Sequence, residues 1–99
     1  MVRVVVLNHD GGPRVERCLA ALAATDWPAH ALEIVLVDNA STDGSARAAV
    51  AAHPAVQLVE LSTNGGFPAN NVALRDLGGV SYVALVNNDA YVEPGWLTP

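Results

Sequence analysis

Glu33-Ile34-Val35-Leu36-Val37-Asp38-Asn39-Ala40-Ser41-Thr42-Asp43-Gly44 is the stretch whose reading decides the fold. Glu33–Val37 has the apolar, β-branched character of a buried strand, and it stops on Asp38-Asn39. Ser41, Thr42 and Asp43 offer N-caps, since their short side chains can accept hydrogen bonds from the free N–H groups of a first helical turn. The Ala-rich stretch beyond them predicts a helix to about Ala52, stopped by Pro54. A strand, a polar turn and a helix in this order make one half of a strand–helix–strand unit.

The same unit recurs on both sides. Upstream, Val2–Leu7 is an unbroken apolar run apart from Arg3, of the kind that suits a strand covered on both faces. It closes on Asn8-His9-Asp10-Gly11-Gly12-Pro13. Arg14–Thr25 follows, with Val15, Cys18, Leu19 and Leu22 at the i, i+3, i+4, i+7 spacing of an amphipathic helix. Downstream, Val56–Leu61 reads as a third strand and Ser62-Thr63-Asn64-Gly65-Gly66 as a turn. Pro68 fits the first turn of a third helix and Gly78-Gly79 its end. Ser81–Val86 is the fourth strand, followed by Asn87-Asn88-Asp89, and Tyr91–Pro99 holds a Pro94-Gly95 turn and the start of another helix.

Strands alternating with helices imply an α/β fold whose sheet is mostly parallel, with right-handed crossovers. The expected strand order is 3-2-1-4, which reverses between strands 1 and 4. Ligands of open α/β sheets bind outside the carboxyl ends of the strands at such a point. Asn8–Gly12, Asp38–Thr42 and Asn87–Asp89 all fall at carboxyl ends, so the polar residues gather where this topology puts a site.

Composition narrows the function. The chain is 99 residues long, 52% apolar and 15% charged, which fits one ordered domain over residues 1–99. A net charge of −5, with five scattered arginines and no lysine, argues against a nucleic-acid surface. Cys18 is the one cysteine and reads as a small buried apolar residue; with no disulfide to form within the chain, a reducing, cytoplasmic setting is expected. The apolar stretches fall well short of the roughly 20 residues needed to span a bilayer, which leaves a peripheral contact at the inner face of a membrane open. His9, His30 and His53 show no metal-ligand spacing; His9 lies nearest the crevice, while His30 and His53 are expected to be exposed. Trp27 and Trp96 flank turns and are expected to pack against helices, and Phe67 to pack in the core.

Three constellations carry the chemistry. Asp89 is a carboxylate at the rim, and a diphosphate placed there would be repelled unless a divalent cation bridged the two; Mg²⁺ and Mn²⁺ complete their shells with phosphate oxygens and water. Asp38, at the end of a central strand, can accept a hydrogen bond from a base N–H or a ribose hydroxyl. Asn70 and Asn71 stand at a helix start behind Gly65-Gly66, and Asn71 is the one expected to face the crevice. A dehydrogenase would need G-x-G-x-x-G where Asn8-His9-Asp10-Gly11-Gly12-Pro13 stands. A phospho-acceptor receiver would need an aspartate at the end of the third strand, where Leu61-Ser62-Thr63 stands.

In this setting the chain resembles the family 2 glycosyltransferases of the GT-A fold group, in particular the rhamnosyltransferase-like and galactofuranosyltransferase-like branch. Four motifs carry the resemblance, at family-like spacing over essentially the whole chain: Val4–Asn8, Val37–Ser45, Asn64–Asn71, and Leu85–Ala90 with Pro94-Gly95-Trp96-Leu97. Each is weak alone, and together they are strong. The resemblance implies a GT-A, Rossmann-like nucleotide-binding half. It implies transfer of a sugar from a nucleoside diphosphate to the hydroxyl of an acceptor glycan or lipid-linked glycan, with inversion. Asn8, Asp38, Asn71, Asn87 and Asn88 would bind the nucleotide sugar. Asp89 would be the metal-coordinating last residue of the family's D-x-D motif, with Mg²⁺ or Mn²⁺. Asn87 replaces the first Asp of that motif, which leaves Asp89 with less negative support. The family's catalytic base lies well downstream, and its members are usually more than twice this long, so residues 1–99 alone are expected to be inactive or to act as a nucleotide-binding module. The uncharged fourth strand would then be an open edge, inviting self-association.

Overall fold

The computed structural model describes residues 1–61, 80 and 82–97. Strands β1 (Val2–Asn8), β2 (Leu32–Asn39), β3 (Gln57–Leu61) and β4 (Tyr82–Asn87) form one parallel sheet in the order β3-β2-β1-β4. This is the expected order, and its reversal point lies between β1 and β4. Helix α1 (Pro13–Ala23) links β1 to a 3₁₀ turn at Ala29–Ala31, and helix α2 (Ser45–Ala52) links β2 to β3.

Two clusters hold the sheet. The larger joins Val2, Val4, Val6 and Leu36 of the sheet to Val15, Cys18, Leu19 and Leu22 of α1 and to Ala46 and Ala49 of α2. Its members are at most 6% exposed, so α1 and α2 cover this face with the stripe that the sequence spacing marked. The smaller, centred on Val5, Val35 and Val37 with Leu7, Val59, Leu61 and Val83 against it, lies on the opposite face. That alternation along β1, with Val4 and Val6 in one cluster and Val5 in the other, is what a doubly covered strand requires.

Several boundaries differ from expectation. The two central strands run further into polar sequence, because the parallel register pairs Asn8 with Asp38 and keeps both in the ladder. Helix α1 starts on Pro13 and ends before Thr25, with Pro in the first turn where a missing N–H costs nothing. Helix α2 begins only at Ser45: Gly44, at φ 73°, occupies the capping position, and no side-chain bond is made from it. Of the three expected caps only Asp43 acts as one, its Oδ1 accepting from Ser45 N–H at 2.9 Å. Ser41 and Thr42 are used between loops instead.

Residues 94–97 form a turn rather than a new helix. It is held by Asp26 N–H donating to Pro94 O at 2.6 Å and by Trp96 Nε1–H donating to Thr25 Oγ1 at 2.9 Å. Trp27 and Trp96 both pack against the larger cluster. His30 is exposed, but His53 is not: its side chain is 20% exposed and its Nε2 lies 2.8 Å from Glu16 Oε1, tying the end of α2 to α1. The expected third helix, with Phe67, Asn70 and Asn71, lies outside the described residues. Among the described residues no helix is long and apolar enough to cross a membrane.

Candidate functional site

The carboxyl ends of β1, β2 and β4 meet at one buried side chain. Asn8 is 0% exposed at the end of β1. Its amide Nδ2 donates to Ser45 Oγ at 2.9 Å and lies within bonding distance of Asp38 Oδ1 at 3.2 Å and Ser41 Oγ at 3.3 Å. Its Oδ1 accepts from Asn88 Nδ2 at 2.9 Å. One neutral amide therefore joins β1, β2, the start of α2 and the turn after β4. Gly11 is buried against it: a Cβ there would press on Asn8 Oδ1 and stand 2.5 Å from Asn88 Nδ2.

This wiring fixes the orientation of Asp38. Its Oδ1 accepts from Asn8 and, in a short bond, from the Ser41 hydroxyl. Among the described residues no hydrogen bond reaches Oδ2. Asp38 is 6% exposed and lines a cleft of about 280 Å³ together with Ser41, Thr42, Gly44, Ala46, Arg47 and Glu60. Glu60 stands beside Asp38 across the β2–β3 register, and Arg47 grips it with Nε and Nη2 at 3.1–3.2 Å. The cleft thus sets a carboxylate oxygen beside an ion pair, a lining that suits a ligand with both donors and acceptors.

The loop after β1 is tied to the loop after β2. Asp10, at φ 48°, accepts with Oδ1 from Thr42 N–H at 2.7 Å and Asp43 N–H at 3.1 Å, while its own N–H donates to Ser41 Oγ at 2.8 Å. In return Asp43 Oδ2 accepts from Gly12 N–H at 3.0 Å. Hydrogen bonds from Ser45 and Gly12 hold the Asp43 carboxyl below its ordinary range. His9 is exposed, and its Nδ1 lies 2.6 Å from Asn39 O, a distance that calls for a proton on Nδ1.

On the other side, Asn87 ends β4, and its carbonyl accepts from Ala90 N–H at 3.0 Å, closing the turn that carries Asn88 and Asp89. Asp89 is exposed on that turn. The Cys18 thiol beneath it lies 3.5 Å from Asn87 O, and burial, then the nearby Asp89 charge, pushes its pKa up to about 11. Among the described residues no three His, Cys, Asp or Glu side chains converge as a metal cage.

Of the expected site residues, Asn8, Asp38 and Asn88 come together in one network. Asn87 and Asp89 sit at its rim, and Asn71 lies outside the described residues. Asn8 is placed beneath the crevice surface rather than on it. Sequence reasoning did not single out Ser45, Asp10 or the Arg47–Glu60 pair. The Asp10 contacts cross about thirty positions and the Arg47–Glu60 contact thirteen, so no local pattern marks them.

These features define an α/β protein with its polar rim at the topological switch point of a parallel sheet. Residues 3–99 match the family described as "Glycosyl transferase family 2", and the chain belongs to that family. It is 35% identical over 104 residues to an N-acetylglucosaminyl-diphospho-decaprenol L-rhamnosyltransferase of Mycobacterium tuberculosis, covering 93% of this chain and 33% of the relative. The structure of S. aureus TarS 1-349 in complex with UDP has a TM-score of 0.80 and 27% identity, over 97% of this chain and 29% of that one. The mannosyltransferase PcManGT from Pyrobaculum calidifontis, in complex with GDP-Man and Mn²⁺, has a TM-score of 0.75 and 33% identity, over 90% of this chain and 27% of that one. The chain therefore has the GT-A fold of these neighbours and spans about a third of the length of the rhamnosyltransferase it matches.

Proposed function

We propose that this chain forms the donor-binding part of an inverting sugar transferase that acts in the cytoplasm or at the inner face of the membrane. A nucleoside diphosphate sugar would be the donor, and the hydroxyl of a glycan or lipid-linked glycan the acceptor. The observation that carries the reading is Asp38: a nearly buried carboxylate, oriented through Oδ1, with no hydrogen bond to Oδ2 among the described residues, in a cleft at the carboxyl ends of β2 and β3. Such an oxygen accepts from a base N–H or a ribose hydroxyl. That TarS is found with UDP, and PcManGT with GDP-Man and Mn²⁺, supports a nucleotide in the corresponding crevice here.

The diphosphate would lie toward the turn after β4, near Asn87, Asn88 and Asp89. A single exposed carboxylate, with no cage of further ligands among the described residues, fits Mg²⁺ or Mn²⁺ only if phosphate oxygens and water complete the shell, which is how these cations are commonly held beside substrate phosphates. The cation would supply charge neutralisation for the leaving diphosphate. Deprotonation of the acceptor needs a carboxylate beyond this motif, which we place outside residues 1–99.

The test is calorimetric titration of the chain with UDP, GDP, dTDP and their sugar conjugates, with and without Mn²⁺. Binding is expected to strengthen with the metal. Asp89→Ala should remove the metal dependence, and Asp38→Ala should weaken binding with or without metal. Equal affinity with and without Mn²⁺ in the unaltered chain would sink the role of Asp89, and binding untouched by Asp38→Ala would sink that of Asp38.

A further inference from the structure

We infer that Asp10 is a positioning residue, and that it works as a neutral-competent hydrogen-bond acceptor rather than as a charge. It shapes the nucleotide cleft without touching the ligand, an inference that rests on the reading of the Asp38 cleft as a nucleotide site. The wall of that cleft includes Ser41, Thr42 and Gly44, all from the loop between β2 and α2. That loop leaves β2 through Ala40 at φ 58° and enters α2 through Gly44 at φ 73°, two left-handed turns that give it no regular backbone ladder of its own.

Its free N–H groups are satisfied from outside. Asp10 Oδ1 takes Thr42 N–H at 2.7 Å and Asp43 N–H at 3.1 Å, and Asp10 N–H fixes the Ser41 hydroxyl at 2.8 Å. With that hydroxyl oxygen accepting from Asp10, its proton points at Asp38 Oδ1. Asp10 therefore sets both the wall of the cleft and the direction in which Asp38 presents its remaining oxygen. The loop answers through Asp43, which accepts from Gly12 N–H at 3.0 Å, so each loop caps the other.

Oδ1 alone takes both backbone N–H groups, with Thr42 Oγ1 at 3.5 Å from the same oxygen, while Oδ2 faces the exposed His9 Nε2 at 3.7 Å. An amide carbonyl can do the same, and Asn tolerates the left-handed backbone at φ 48° as well as Asp does. Asp10→Asn should preserve the clamp. Asp10→Ala and Asp10→Gly remove the acceptor, and the glycine variant does so without backbone strain at that φ.

The experiment has two arms. Amide hydrogen exchange at Thr42 and Asp43, without ligand, should quicken by roughly tenfold in Asp10→Ala and Asp10→Gly and stay within about twofold of the unaltered chain in Asp10→Asn, as expected for loss of hydrogen bonds to a carboxylate. Titration with UDP, GDP and dTDP in the presence of Mn²⁺ should follow the same pattern, with affinity down by roughly tenfold in the first two variants and unchanged in the third. Unchanged exchange in both acceptor-less variants would overturn the clamp. Binding lost equally in Asp10→Asn would show that the charge acts directly and overturn the positioning role. Failure of the unaltered chain to bind any of the three nucleotides would instead defeat the nucleotide reading, while the exchange arm still judges the clamp.

Discussion

Asn8 offers the sharpest test of how the site is built. Asn8→Ala removes the amide that bonds Ser45 Oγ at 2.9 Å, Asn88 Nδ2 at 2.9 Å and Asp38 Oδ1 at 3.2 Å, all around a side chain with no exposure. Asp38 Oδ1 keeps Ser41, so its loss is partial. Ser45 and Asn88 lose a partner outright, and each stranded group costs about 1–3 kcal/mol if water does not replace it. A total of about 2–6 kcal/mol is a large share of the roughly 5–15 kcal/mol available to a whole domain. At about 4–8 °C per kcal/mol for a chain of this size, the thermal midpoint should fall by at least about 8 °C.

Asn8→Asp separates bonding from charge. It keeps the volume but sets a second carboxylate where Nδ2 now faces Asp38 Oδ1 at 3.2 Å. The introduced carboxyl is buried beside a like charge, so its folded pKa lies above its unfolded value of about 3.9. Folded chains then hold a proton that unfolded chains have released, and stability is lost as pH rises from about 4 through the folded pKa. Circular dichroism melts at several pH values read both effects. A cost below about 1 kcal/mol for Asn8→Ala, on the scale of a surface change, would refute the hub, and a flat pH profile for Asn8→Asp would refute its contact with Asp38.

Two further outcomes follow from the same geometry. Cys18, fully buried and with its pKa pushed up to about 11, should resist iodoacetamide in the folded chain at pH 8 and react in urea; stability present below pH 9 should decline as pH rises toward 11, an effect that Cys18→Ala removes. Strand β4 ends the described sheet with Tyr82 and Leu85 at 74% and 58% exposure, so sedimentation at rising concentration should show self-association that Leu85→Lys weakens, and a monomer at every concentration would contradict it. Val83 and Leu85 share one face by strand periodicity; Val83 packs on the smaller cluster, which leaves Leu85 as the position to change.

The sheet and its order were legible because Val2–Leu7 and Glu33–Val37 are apolar enough to be strands and nothing else, and because parallel crossovers admit few topologies. Asp38 and Asn88 were legible by position, at the carboxyl ends of strands. What Asn8 does was not: its residue type suits a ligand contact and a buried hub equally, and only the convergence of Ser41, Ser45 and Asn88 on it decides between them. The capping pattern misled for a related reason. Ser41 and Thr42 have the chemistry of helix caps, but Asp10 reaches both from the loop after β1, and Asp38 holds Ser41 from three residues upstream. Local propensity carries no information about such partners.

The choice of a neutral amide to hold Asp38 has an electrostatic consequence. An arginine or lysine in place of Asn8 would orient the carboxylate equally well but neutralise it, and a ligand N–H would then find a weaker acceptor. Asn8 and Ser41 hold Asp38 through groups that carry no charge of their own. Arg47, the cation lining its cleft, is 76% exposed and turned to Glu60. In the rim loops Asp43 and Asp89 add two more carboxylates, against Arg14 among the described residues, whose Nε lies 3.4 Å from Gly11 O. Among the described residues, three carboxylates against one arginine leave the rim net negative before any ligand arrives. A diphosphate brings about two more, and at the spacing of a binding site each like-charge contact is worth on the order of 1–4 kcal/mol of repulsion. On the nucleotide reading, a cation held at Asp89 would offset the repulsion that the whole described rim exerts on the diphosphate, as well as that of Asp89 itself.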